Sequence, residues 1–138
     1  MRSSGDHCCP FVAKNTSGRD VFAQSLAIPA NQLWFHPGPH GEFSVMRWQG
    51  RAVGRYGIEA RFSALDLTST DVHIAKNGAP LADGVIEGPG VWHDFPIRNL
   101  RCDPRDSIDF VVGFGADRNY NSDITGLDAR IASMRLGL

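Results

Sequence analysis

Apolar and polar residues alternate in short runs through most of this chain. "FSVMRWQ" (43–49) alternates with period two, and in "RYGIEARFSAL" (55–65) Tyr56, Ile58, Ala60 and Phe62 share one face. Successive side chains of an extended strand point to opposite sides, so such runs predict strands with one dry and one wet face. "DVHIAKNG" (71–78) predicts a strand ending in Asn77-Gly78, a dipeptide suited to a two-residue hairpin, with "PLADGVIEG" (80–88) as its partner. "VWHDFPIRNL" (91–100) predicts an edge strand, because Pro96 has no amide hydrogen to give to a ladder. "DSIDFVVGFG" (106–115) carries a nearly continuous apolar run and predicts a central strand, and "LDARIASMR" (127–135) predicts the last one. With strands near 21–28 and 33–36, the count comes to about eight, punctuated by Gly, Pro, Asn and Asp. No segment of helical length keeps an i, i+3, i+4 apolar pattern, "DVFAQSLAI" being the only rival. The pattern predicts an all-β fold: an antiparallel two-sheet β-sandwich, jelly-roll-like, over residues 11–138, after a frayed terminus at 1–10.

A chain of 138 residues is one domain by length. Its 42% hydrophobic and 21% charged residues are ordinary for a globular protein. The net charge of -1 and pI near 6.5 give no electrostatic footprint for nucleic acid. Arg outnumbers Lys heavily, but the arginines are scattered along the chain, which reads as solvated surface with a few ion pairs. No apolar run approaches the roughly 18 residues of a membrane span, and "MRSSGDHCCPFVAKN" has no apolar core of signal-peptide length. Cys8, Cys9 and Cys102 are odd in number and form no CxxC, so neither a disulfide framework nor a zinc site follows. Three free thiols is the favoured reading, with a bridge from Cys102 to one of the adjacent pair as the alternative.

Six segments follow one another in a recognisable order: "KNTSG" (14–18), "LWFHPGPHGEFSVMRW" (33–48), "GRYGIEARFSALD" (54–66), "TDVHIAKNG" (70–78), "DSIDFVVGFG" (106–115) and "NYNSDITGLDARI" (119–131). Together they resemble a β-sandwich domain of secreted and surface-sorted bacterial proteins, itself similar to carbohydrate-binding modules and mostly of unassigned function. The resemblance spans Phe11 to Ile131. It implies an extracellular or cell-surface location and a carbohydrate or other extracellular ligand. It also implies further β-structure before "KNTSG", which would make Met1 an internal start or the chain a fragment. "WQGRAVGRY" and "NLRCDPRDSIDF" depart from the family pattern, in turns where a ligand site would be most sensitive.

Several clusters could carry chemistry. Asp117, Asn119, Asn121 and Asp123 lie in "GADRNYNSDITG", a Gly-bounded run of oxygen donors of the kind Ca²⁺ takes, with Glu42 and Asp66 as contributors from other loops. Asp117, Asn119 and Asp123 are the candidate ligands. The spacing is not that of an EF-hand, and an Asx-rich turn bonding its own backbone is the competing reading. His73 shares a strand face with Asp71, while His36 and His40 flank a Pro-Gly turn. A metal-assisted hydrolase built on His36, His73 and a carboxylate is one reading. A His73 satisfied by Asp71 or a neighbouring strand is the other. No HExxH, GxSxG or similar spacing fixes a catalytic pair.

Exposed aromatics on loops are the natural anchors for sugar rings. Trp34, Trp92 and Tyr120 sit at or beside predicted turns, whereas Trp48 and Phe110 fit core positions. For Trp34, a core plug under the "HPG" turn and a ligand contact are equally open. The sequence therefore predicts a non-catalytic binding module, with Trp34, His36, Trp92, Tyr120 and Asn121 contacting the ligand and Ca²⁺ as the one cofactor the loop could take. A structural module that self-associates through the sheet edge at 91–100 is the alternative.

Overall fold

The computed structural model describes residues 10–23, 26–38, 40–115 and 123–134. It contains β1 (Phe11–Lys14), β2 (Val21–Ala23), β3 (Leu26–Ile28), β4 (Leu33–His36), β5 (Ser44–Gln49), β6 (Gly54–Ala64), β7 (Ser69–Lys76), β8 (Ala79–Glu87), β9 (Trp92–Cys102), β10 (Ser107–Val112) and β11 (Thr125–Ser133). The strands form a five-stranded sheet in the order β1-β4-β11-β6-β9, a four-stranded sheet β5-β10-β7-β8, and a ribbon β2-β3. All pairings are antiparallel. From β4 onward the chain crosses between the two large sheets at nearly every connection, the β7–β8 hairpin excepted, which is the jelly-roll habit.

The alternation read from the sequence is the cause of this layering. On β6, Tyr56, Ile58, Ala60, Phe62 and Ala64 are buried while Arg55, Glu59 and Arg61 face out. On β7 the inward set is Thr70, Val72 and Ile74, and on β10 it is Ile108, Phe110 and Val112. These sets meet Phe35, Ile86 and Leu127 in one core, where Phe62 packs edge-on to Phe95. Burying each of the Val, Leu, Ile and Phe side chains among them stabilises the fold by about 1.5–3 kcal/mol. The hairpin is as expected: Asn77 and Gly78 both have positive φ, 50° and 82°, the backbone of a turn whose twist matches its strands. β10 lies between β5 and β7, and β9, with Pro96, lies at an edge of the five-stranded sheet.

The described residues form eleven strands rather than about eight. The run expected as one strand at 21–28 folds back on itself, so that Val21 pairs with Ile28 and Phe22 with Ala27. β1 was not expected, since "FVAK" is too short to show a period. It is held by pairing with β4, Val12 opposite Phe35 and Ala13 opposite Trp34. Asn15 secures the turn that follows, its amide nitrogen donating to the carbonyls of Arg19, Ile28 and Pro29. Cys102 is a buried free thiol whose pKa is pushed up by burial, while Cys8 and Cys9 lie outside the described residues.

Candidate functional site

The register of the five-stranded sheet gathers polar side chains that lie far apart in the chain. Asp128, Arg61 and Asp94 stand side by side across β11, β6 and β9, and Arg130, Glu59 and Pro96 form the next row on the same face. Between and above them runs a groove of about 570 Å³ lined by these residues. It continues along the strands into a smaller hollow of about 280 Å³, which Arg98 and Met134 help to line. The floor is β6, whose inward residues are core and whose outward residues are thereby committed to the groove.

At one end stands Trp92, 58% exposed, with the Arg61 guanidinium 5.1 Å from its ring centre. Arg61 is itself fixed by a two-pronged bond to Asp94, Nε to Oδ1 at 2.7 Å and Nη2 to Oδ2 at 3.0 Å. The bond to Arg61 holds the Asp94 carboxyl below its ordinary value, and Asp94 in turn raises Arg61. The indole is therefore presented to solvent and braced from one side, the arrangement of a stacking platform.

Trp34 lies in the same cross-strand row, which reads Trp34, Gly126, Ser63, Trp92 over three strand spacings, roughly 14 Å. The two indoles do not share open surface. A Cβ at Gly126 would come within 3.0 Å of Gln32 Nε2 and 3.1 Å of Leu65 Cδ1, so these two side chains close over the sheet between them. Trp34 is half-buried with its ring edge-on to Phe11 at 5.1 Å. Phe11 also stacks on His36 at 5.4 Å. His36 is only 6% exposed and its Nδ1 donates to the Pro37 carbonyl at 2.7 Å. Strand β1 thus covers the pair that the sequence placed on an open rim.

Tyr120 and Asn121 lie outside the described residues, as do Asp117 and Asn119. Asp123 is 1% exposed, and its Oδ1 accepts the Ser69 amide at 2.9 Å. Glu42 caps the turn before β5 by accepting the His40 amide, and Asp66 accepts the Leu67 amide. Among the described residues no three His, Cys, Asp or Glu side chains converge as metal ligands.

His73 sits on the outer face of the four-stranded sheet. Its Nε2 is 2.5 Å from Asp71 Oδ2 on the same strand, and its Nδ1 is 2.6 Å from Asp83 Oδ1 on β8. Both ring nitrogens are thus engaged by carboxylates on opposite sides of the ring, which leaves neither aimed at a common point with His36. Asp71 Oδ1 also accepts the Gly115 amide, tying β7 to the segment after β10.

The groove residues Glu59, Arg61, Asp94, Asp128 and Arg130 were not singled out from the sequence. The alternation of "RYGIEARFS" and "LDAR" places them on outward faces, where charge ordinarily means solvent. Only the pairing of β6 with both β9 and β11 brings them together.

The sandwich is similar to a solved carbohydrate-binding module, TmCBM61 in complex with beta-1,4-galactotriose. Identity is 14% over 91% of this chain and 88% of that one, with a TM-score of 0.51. The chain has a carbohydrate-binding-module-like β-sandwich fold. The CBM36-1 domain of a multidomain xylanase from the hindgut metagenome of Trinervitermes trinervoides is 13% identical over 92% of this chain and 99% of that one, TM-score 0.47. A CBM36 module in complex with calcium and xylotriose is 10% identical over 88% and 97%, TM-score 0.45. No family model matches the sequence, and no curated protein matches it. At these identities the likeness of the module-like sandwich speaks for the fold, and its function has to come from its own residues.

Proposed function

We propose that this protein is a non-catalytic glycan-binding module, acting outside the cell or at its surface, whose ligand lies in the groove over β6. The observation that carries the reading is Trp92: an exposed indole, braced by the Arg61–Asp94 pair, standing at the end of a groove edged by charged side chains on a rigid sheet. The C–H face of a sugar ring stacks on the indole. Asp94, Asp128 and Glu59 accept hydrogen bonds from sugar hydroxyls, and Arg130 donates to ring or hydroxyl oxygens. A sheet holds these groups in place before the ligand arrives, so little ordering cost opposes binding.

The described residues do not by themselves make a calcium site, and no step of this binding uses a metal. Calcium held by Asp117, Asn119 and Asp123, and ligand contacts from Tyr120 and Asn121, are separate parts of the reading; Trp34 and His36, covered by Phe11 of β1, are not part of it. A self-associating module is the competing function. Pro96 and the irregular pairing between Tyr56 and Ile58 blunt the β9 edge against strand addition.

The test is calorimetric titration with a panel of soluble polysaccharides, beta-1,4-galactan included, with and without Ca²⁺. Binding that Trp92→Ala weakens about 30-fold, the loss of one aromatic anchor, supports the proposal. Binding untouched by Trp92→Ala, or no binding to any glycan, overturns it.

A further inference from the structure

The charges on the outer face of the five-stranded sheet are segregated. Near Trp92, Arg61 is matched by Asp94, with Asp128 beside it on β11. Further along β6 the balance reverses. Arg55 lies directly opposite Arg101 in the β6–β9 register, Arg98 lines the smaller hollow, and Arg130 stands opposite Glu59. All four guanidinium side chains are on exposed residues. Among the described residues, Glu59 is the carboxylate this end of the groove contains. Asp103 and Asp106 lie past Arg101 in the β9–β10 turn; Asp106 is bonded to Asn77 and Lys76 and is also within electrostatic reach of Arg101, and Asp103 accepts the Arg105 amide. Like charges placed directly across a strand pair are destabilising. In a protein of net charge -1, Arg55 set against Arg101, with Arg98 and Arg130 further along the same face, makes this end of the sheet locally positive.

Resting on the glycan-binding reading above, we infer that the groove is specific for an acidic glycan, one carrying carboxylate or sulfate groups. Its neutral sugars stack at Trp92, and its acidic groups sit over Arg98 and Arg130. The planar guanidinium fork matches both anions with paired hydrogen bonds. From Gly57 to Ser63 the floor strand spans roughly 20 Å, room for several linked rings. The same face argues against nucleic acid. Asp94, Asp128 and Glu59 line the groove and would repel a backbone with a phosphate at every unit, whereas a glycan can set hydroxyls against them.

The experiment compares, by calorimetry over a range of salt, partly methyl-esterified galacturonan oligosaccharides, in which neutral rings separate the free carboxylates, their fully methyl-esterified neutral form, a partly sulfated galactan, and single-stranded RNA as competitor. The inference predicts that an acidic glycan binds roughly tenfold tighter than its neutral form, with affinity falling as salt rises. The double variant Arg98→Gln/Arg130→Gln removes that preference and its salt dependence, with melting temperature unchanged because both side chains are exposed. Preference for the uronate or for the sulfate names which anion is read. Equal binding of the neutral form, or a preference that survives the double variant, overturns the inference while leaving glycan binding intact if Trp92→Ala still weakens it. RNA that competes as well as the acidic glycan overturns it as well, and failure of every glycan overturns the functional reading itself.

Discussion

Raising the pH should loosen the fold through one side chain, His73. Both of its ring nitrogens face carboxylate oxygens, Asp71 at 2.5 Å and Asp83 at 2.6 Å. A neutral imidazole carries one N–H and can donate to only one of them, leaving lone pair against lone pair at the other. The arrangement therefore requires the imidazolium. Burial of the ring is the largest single influence and pulls its pKa down, but the hydrogen bonds and charges of Asp71 and Asp83 together outweigh it, and the folded value is raised above 6.5. The stabilisation is thus fully present below the unfolded pKa and is lost as pH rises through the folded one. A charge-assisted bond is worth ~1.5–3 kcal/mol when well sheltered. The His73 side chain is 30% exposed and that of Asp83 63%, so solvent screening reduces the sum. A total of about 1–1.5 kcal/mol remains, a drop of roughly 3–6 °C in melting temperature for a chain of this size. Calorimetric scans between about pH 5 and pH 9 on the wild type and His73→Gln measure it, the difference between the two curves cancelling the other histidines. A wild-type melting temperature that rises relative to the variant across this window, or two parallel curves, would show that the His73 imidazolium does not stabilise the fold.

Three further outcomes follow from the same structure. Ile74→Ala leaves a cavity at a fully buried position between the sheets and should cost about 3–4 kcal/mol, read by urea denaturation with an unchanged slope. Gly78→Ala should cost about 1 kcal/mol through the backbone alone, since φ is 82° there and a Cβ meets nothing within 4 Å; a larger loss would mean that the side chain, not the turn, is at fault. Arg61→Ala removes the brace beside Trp92, so Trp92 fluorescence anisotropy should fall while the melting temperature barely moves, both partners being exposed.

Much of the sandwich is legible in the sequence because its cause is local. The period of two on β6 and β7, the Asn77-Gly78 turn and the edge position of Pro96 all arise from neighbouring residues. β1 and the ribbon of β2 and β3 are not legible, because strands of three or four residues are held by partners elsewhere in the chain and show no period of their own. The groove is hidden for the same reason. Arg61 meets Asp94 and Asp128 only after β6 pairs with β9 and β11, and until then each charge resembles ordinary surface. Trp34 and His36 show the converse: they are adjacent to a turn in sequence, yet Phe11 from β1 covers them. Trp92 was visible as an aromatic beside a turn, but its neighbours on the sheet were not.

In the proposed function the ligand lies along the outer face of the five-stranded sheet. Amide chemical-shift mapping during titration with a bound glycan tests it most directly. The largest shifts are expected on β6 from Gly57 to Ser63, on Trp92, Asp94 and Arg98 of β9, and on Asp128 and Arg130 of β11. Shifts that leave these strands untouched and gather on the outer face of the four-stranded sheet, around His73 and Asp83, would contradict it.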